Sequence, residues 1–122
     1  MIMVVEQDQC ARASLSELLS DRGHRVVQAA DATEAIQRLE ENEGLELILL
    51  DLEIPASARV LEHARRMAPD VIVFGMSRHD DFPEAVESVN GFFCKPLVFQ
   101  ELYREICSAG MRADRSIKKS TE

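Results

Sequence analysis

The sequence predicts an α/β fold built as a doubly wound, five-stranded parallel sheet. Three observations carry that expectation. Five short apolar runs recur along the chain, at 2–5, 24–29, 45–50, 71–76 and 91–94. They are continuous rather than alternating, which is the pattern of strands buried on both faces. Segments with helical spacing separate them, so strand and helix alternate from end to end, and right-handed crossovers fold such a chain into one sheet covered on both sides.

Each element has its own local signal. The first run, Ile2-Met3-Val4-Val5, begins almost at once and stops at Glu6-Gln7-Asp8. Ala11, Leu15, Leu18, Leu19 and Arg22 then follow helical spacing, and Gly23 ends that helix as a left-handed C-terminal residue does. The second run carries the polar His24, Arg25 and Gln28, the mark of an edge strand. Asp31-Ala32-Thr33-Glu34 opens a second helix in the manner of a capping box, with Ala35, Ile36 and Leu39 as its buried stripe. Gly44 turns the chain into the third run. A third helix is expected over 57–67 through Val60, Leu61 and Ala64, with Pro69 stopping it. A short fourth helix is expected over 82–88, where Pro83 fits the first turn. A fifth runs from Phe99 past Cys107 and buries Leu102, Ile106 and Tyr103. The domain is expected to span 1–108, and the basic segment 109–122 to be a flexible tail.

Bulk properties bound the function. A chain of 122 residues fits one domain, and 46% hydrophobic residues can fill a real core. Trp is absent and Tyr103 is the lone tyrosine, so that core should be aliphatic. The net charge of −8 argues against a nucleic-acid-binding face, which needs a basic stripe. Cys10, Cys94 and Cys107 are odd in number and lack ligand spacing, so reduced and mostly buried thiols are expected. His24, His63 and His79 have no acid or cysteine partner at ligand spacing and read as solvated or edge residues. Met67, Met76 and Met111 read as core or tail. No apolar run approaches the roughly 18 residues of a membrane span. The N-terminus lacks a basic signal-peptide region. A cytoplasmic protein is the expectation.

The chemistry concentrates where apolar runs end. Asp51 ends the run Leu45-Glu46-Leu47-Ile48-Leu49-Leu50, Glu6-Gln7-Asp8 ends the first run, and Lys95-Pro96 follows Gly91-Phe92-Phe93-Cys94. In open parallel sheets, ligands bind at the carboxyl ends of the strands. Acids at two strand ends and a lysine at a third suit a site that handles a metal ion and a phosphoryl group. Asp51 paired with Lys95 as a plain salt bridge is the blander alternative.

These residues resemble the receiver domain of two-component response regulators, of which CheY is the minimal form. The resemblance covers about residues 2–108 and implies a flavodoxin-like, CheY-like sheet of order 2-1-3-4-5. It implies Asp51 as phosphoacceptor, with Leu52-Glu53-Ile54-Pro55 as the loop behind it. Glu6, Gln7, Asp51 and the Glu53 backbone carbonyl become the Mg²⁺ ligands, with Asp8 as a further candidate acid. Ser77 becomes the switch hydroxyl, Phe92 the switch aromatic, and Lys95 the phosphoryl partner, joined to Pro96 by a cis peptide. A carboxylate attacking a phosphoryl donor needs such cations against charge repulsion. The expected donor is a histidine kinase or phosphotransfer protein, and the recipient a downstream protein the sequence does not name. No membrane or nucleic-acid partner is expected, and a homodimer is left open. The expected role is signalling rather than catalysis, beyond self-phosphorylation and autodephosphorylation of Asp51.

The chain also departs from the family. Gln7 stands where a direct metal-ligating Asp is usual, and losing that carboxylate should weaken Mg²⁺ by at least the roughly 10–100-fold seen for outer-shell losses. The loop after Pro55 lacks the family's Asp-Gly and is two residues shorter, and the stretch from Ser77 to Lys95 is about four residues short. A different gap places Gly75 at the switch position and leaves no hydroxyl there. A pseudo-receiver, an interaction module without efficient phosphorylation, is therefore the alternative. An aspartate-dependent phosphatase lacks room for its cap. A flavin carrier would need a phosphate loop where this chain has the acidic Glu6-Gln7-Asp8.

Overall fold

Alternation along each strand builds two cores rather than one. The computed structural model describes residues 1–79 and 88–110. Its elements are β1 (Ile2–Val5), α1 (Gln9–Asp21), β2 (Val26–Ala29), α2 (Ala32–Glu41), β3 (Leu47–Asp51), α3 (Ser57–Met67), β4 (Ile72–Ser77), β5 (Gly91–Cys94) and α4 (Phe99–Ser108). All strand pairs are parallel, in the order β2-β1-β3-β4-β5. Ile2, Val4, Leu47, Leu49, Phe74 and Met76 face one side, where Leu15, Leu19, Leu102 and Ile106 of α1 and α4 cover them. Met3, Val5, Ile48, Leu50 and Val73 face the other, under Ala35, Leu39, Val60, Leu61 and Ala64 of α2 and α3. Full burial of such a side chain stabilises by about 1.5–3 kcal/mol, so the two cores dominate the fold.

The expected doubly wound sheet, its order and its edge strand at β2 are therefore present. The third helix has the expected bounds, whereas β2 starts at Val26 rather than at residue 24. Gly23 has φ 89°, and the His24 N–H returns to the Leu19 carbonyl at 3.2 Å, closing the end of α1. Asp31 Oδ1 accepts the Glu34 N–H at 2.8 Å, while Glu34 reaches back to the Ala30 N–H at 2.8 Å. Gly44 does not adopt positive φ, so it contributes no left-handed turn. The fourth expected helix, apart from Ser88, falls outside the described residues, as do Met111 and the tail from 111.

Four side-chain expectations need correction. All three cysteines are exposed: Cys10 and Cys107 lie outside the buried stripes of their helices, and Cys94 ends the edge strand β5. Met67 is also exposed, at the last turn of α3. Ile36 is only half-buried, and Ala32 takes its place in the stripe. His24 is buried, because its Nε2 and the Tyr103 hydroxyl share a 2.8 Å hydrogen bond across 79 residues of sequence. The Arg22 guanidinium lies 4.9 Å from the Tyr103 ring centre and 5.2 Å from that of Phe99, roofing the same cluster.

Burial lowers the His24 pKa, the N-terminal ammonium adds to the effect, and Glu46 opposes it. A histidine held neutral in the fold contributes stability that is complete above its unfolded pKa of about 6.5 and lost as pH falls through the lower folded value. Urea midpoints should thus be flat from pH 8 to 7 and decline below about 6.5, by at most about 1.4 kcal/mol per pH unit from this group. His24→Gln should flatten that decline.

Candidate functional site

The alternation that builds the cores also gathers the charges. Val5 pairs with Leu50 and Asp51 with Met76, so Glu6, Asp51 and Lys95 emerge at the carboxyl ends of β1, β3 and β5. Each continues the side-chain parity of the α1/α4 face. Lys95 Nζ donates to Glu6 Oε1 at 2.6 Å and to Asp51 Oδ2 at 3.1 Å. Glu6 Oε2 accepts the Asp8 N–H at 3.0 Å, and Asp51 Oδ1 accepts the Glu53 N–H at 2.9 Å. Every carboxylate oxygen of the pair is thus satisfied. Both acids are buried, with side-chain exposures of 5% and 6%, and Lys95 is at 18%.

Burial raises the Asp51 pKa above its ordinary value, and the Glu53 N–H and Lys95 only partly offset it. Burial opposes the Lys95 ammonium too, but its bonds to Glu6 and Asp51 outweigh that and hold its pKa up. The pocket is a triad of two acids that share one base, so it keeps a net negative charge. Among the described residues, no three His, Cys, Asp or Glu side chains converge as a metal cage. Two carboxylates and a carbonyl still suit Mg²⁺, which keeps several waters in place of protein ligands.

The other expected site residues divide. Gln7 is exposed beside the pocket. Asp8 caps α1, its Oδ1 accepting the Ala11 N–H at 3.1 Å, so its carboxylate serves the helix start. Ser77 is fully buried at the end of β4, and Lys95 N–H donates to its carbonyl at 2.7 Å. Its hydroxyl donates to Glu53 Oε2 at 3.1 Å. Gly75 packs closely on Leu52: a Cβ there would lie 2.8 Å from Leu52 Cδ1, so a side chain would have to displace that leucine. Phe92 is half-buried and packs on the α2/α3 core, on the face shared by Gly75 and Ser77. The Lys95-Pro96 peptide is cis.

Sequence reasoning missed two contributors. Arg12 Nη1 donates to the Glu6 carbonyl at 2.7 Å and its Nε to Gln28 at 3.2 Å, fixing the end of β1. An arginine one turn into a helix after an acidic strand end was the available signal. The second is the Glu53 carboxylate, which also accepts the Arg78 N–H at 2.6 Å. That bond is the main reason the Glu53 pKa is lowered; desolvation opposes it, and the Ser77 hydroxyl and nearby Arg78 and His79 reinforce it. The shortened loop beyond it passes through Ala56 at φ 63°, a left-handed conformation that costs a non-glycine residue roughly 1–2 kcal/mol.

The family model for the response regulator receiver domain matches residues 2–106. The chain belongs to that family. Receivers are signalling modules that accept a phosphoryl group, and the chain has their fold. The receiver is 28% identical over 105 residues to the CAI-1 autoinducer sensor kinase/phosphatase CqsS of Vibrio cholerae, covering 78% of this chain and 15% of that protein. It is 27% identical over 110 residues to the uncharacterized transcriptional regulatory protein YrkP of Bacillus subtilis, covering 86% of this chain and 47% of that one. The chain therefore spans less than half the length of these relatives. The response regulator TrrA of Thermotoga maritima, solved in complex with Mg(2+)-BeF, superposes with a TM-score of 0.79 at 20% identity, over 88% of this chain and 96% of that one. No helix among the described residues is long and apolar enough to cross a membrane.

Proposed function

We propose that Asp51 is the phosphoacceptor of this receiver and that residues 1–108 are its functional unit. The observation that carries the reading is the triad: a buried strand-end carboxylate, a second acid beside it, and one lysine bonded to both at 3.1 and 2.6 Å. Asp51 Oδ2 attacks the phosphorus of a donor phosphohistidine, the donor's P–N bond breaks, and an acyl phosphate forms. Lys95 holds the attacking carboxylate ionised despite its burial, then follows a phosphoryl oxygen as a point charge. The Glu53 N–H fixes the other Asp51 oxygen, so only one faces the donor.

When bound, Mg²⁺ neutralises charge shared by the attacking and phosphoryl oxygens. Glu6, Asp51 and the Glu53 carbonyl are the groups that would hold it, and Gln7 offers only an uncharged amide. Affinity for the ion is accordingly low. The complex of TrrA with Mg(2+)-BeF supports the choice of metal. A groove of about 670 Å³, lined by Asp8, Ala11, Leu15, Leu18, Lys95 and Phe99, adjoins the triad at its lysine, where a phosphodonor protein would seat. A cytoplasmic histidine kinase or phosphotransfer protein fits that role, and the signal leaves through a protein partner. Ser77 and Phe92 share one sheet face and are the pair through which the pocket would reach that surface. The contact of Lys95 with both Asp51 and Glu6 supports the phosphoacceptor reading over the pseudo-receiver alternative, which rests on Gln7 and the short loops. Incubation with acetyl phosphate and Mg²⁺ should add one phosphoryl group by intact mass, and chelating the metal should prevent it.

A further inference from the structure

Two hydrogen-bond donors stand side by side where β4 ends: the Ser77 hydroxyl and the Arg78 N–H. Both converge on one oxygen, Glu53 Oε2, at 3.1 and 2.6 Å. The Ser77 oxygen also accepts the His79 N–H at 3.0 Å, so its single proton is committed to Glu53. Glu53 itself lies two residues past Asp51, and its N–H is the one that holds Asp51 Oδ1. One residue thus touches the acceptor through its backbone and the end of β4 through its side chain.

We propose that the Glu53 carboxylate is an internal stand-in for the phosphoryl group, gripping the Ser77 hydroxyl and the Arg78 N–H until a phosphoryl group on Asp51 displaces it. The inference rests on Asp51 being the acceptor. A carboxylate oxygen and a phosphoryl oxygen are the same kind of anionic acceptor, and each takes the strong, charge-assisted form of hydrogen bond. The donors are adjacent, neutral and at the carboxyl edge of the sheet, beside the strand that carries Asp51. The acyl phosphate carries about 1.5–2 negative charges where the Asp51 carboxylate carried one, and it holds them two residues from Glu53, so the two anions repel each other while competing for the same donors. Glu53 is half-exposed and can leave for water, whereas buried Ser77 cannot. The bonds tie the loop between β3 and α3 to the end of β4 in the unmodified protein. Their exchange for phosphoryl bonds frees that loop, so Glu53 is a positioning residue that sets how readily the acceptor is modified.

Wild type, Glu53→Gln and Glu53→Ala separate the possibilities, with Arg78 amide hydrogen exchange followed by NMR before any phosphodonor is added. In Glu53→Ala the Arg78 amide should exchange at least about tenfold faster, since its carboxylate acceptor is gone. Phosphoryl uptake from acetyl phosphate and Mg²⁺ should then rise about three- to tenfold, the net worth of one hydrogen bond no longer competed for. Glu53→Gln, which keeps an acceptor but not the charge, should fall between. In a Ser77→Ala background the gain from Glu53→Ala should shrink by at least half. An unchanged Arg78 exchange rate overturns the grip, and unchanged or slower uptake in Glu53→Ala overturns the competition. Absence of uptake in the wild type is a different failure: it removes Asp51 as acceptor, and the competition with it.

Discussion

Lys95→Ala should cost about 3 kcal/mol of stability at neutral pH and reduce phosphoryl uptake about 100-fold or more. Removing one partner of a buried pair typically costs 3–5 kcal/mol, and the low end applies because Lys95 is 18% exposed. The loss leaves Glu6 and Asp51 as two buried carboxylates without their shared cation. A raised folded pKa means that an acid's stability contribution is complete below its unfolded value and lost as pH rises through the folded one. Asp51 already sits on that side, through burial, and loss of Lys95 pushes it further. The variant's deficit should therefore be largest at neutral pH and shrink as pH falls toward the carboxylate range. A melting midpoint lowered by roughly 10 °C at pH 7.5, and by much less at pH 5, would be the signature. The uptake loss follows from the absent point charge on the transferring group, a term worth several kcal/mol in comparable sites.

Gln7→Asp should tighten Mg²⁺ by an order of magnitude or more and speed phosphorylation. The pocket has two carboxylates against one ammonium, and a third acid adds attraction to a dication of several kcal/mol near 4 Å, most of it offset by desolvation. Gln7 is exposed, so the new carboxylate enters without a burial penalty of its own. It should also lower the stability of the metal-free protein slightly, by crowding Glu6. Titration of Mg²⁺ into both proteins, followed by melting midpoint, measures both effects, because a ligand bound only to the folded state raises stability with concentration. Equal affinities would place residue 7 outside the metal's reach. Asp8, whose Oδ1 alone caps α1, or another residue would then supply the missing acid.

The triad was legible because it follows from strand parity. An apolar run that ends in a charged residue fixes which face that charge emerges on, and three such ends in a parallel sheet meet at one edge. The sheet order came from the family resemblance carried by Asp51, Lys95 and the residues around them, not from periodicity. What stayed hidden depends on rotamers across long sequence gaps. The Glu53 side chain could be read only as a neighbour of Asp51, since its grip on Ser77 and Arg78 crosses 24 and 25 residues. The burial of His24 depends on Tyr103, and nothing local to a histidine in a polar strand start reveals that partner. The cysteines misled because thiols are commonly buried, whereas here the buried helix stripes are aliphatic and the thiols lie outside them. The helix-capping role of Asp8 was readable: an acidic residue directly before a helical run is an N-cap signal, and Asp8 Oδ1 accepts the Ala11 N–H.

The central claim is that the phosphoryl group enters on Asp51, and one comparison tests it most directly. Wild type and Asp51→Asn, incubated side by side with acetyl phosphate and Mg²⁺, are weighed intact. The account predicts a single phosphoryl addition on the wild type, labile in base as an acyl phosphate is, and none on a variant that melts as a folded protein. The same addition persisting on Asp51→Asn would contradict it.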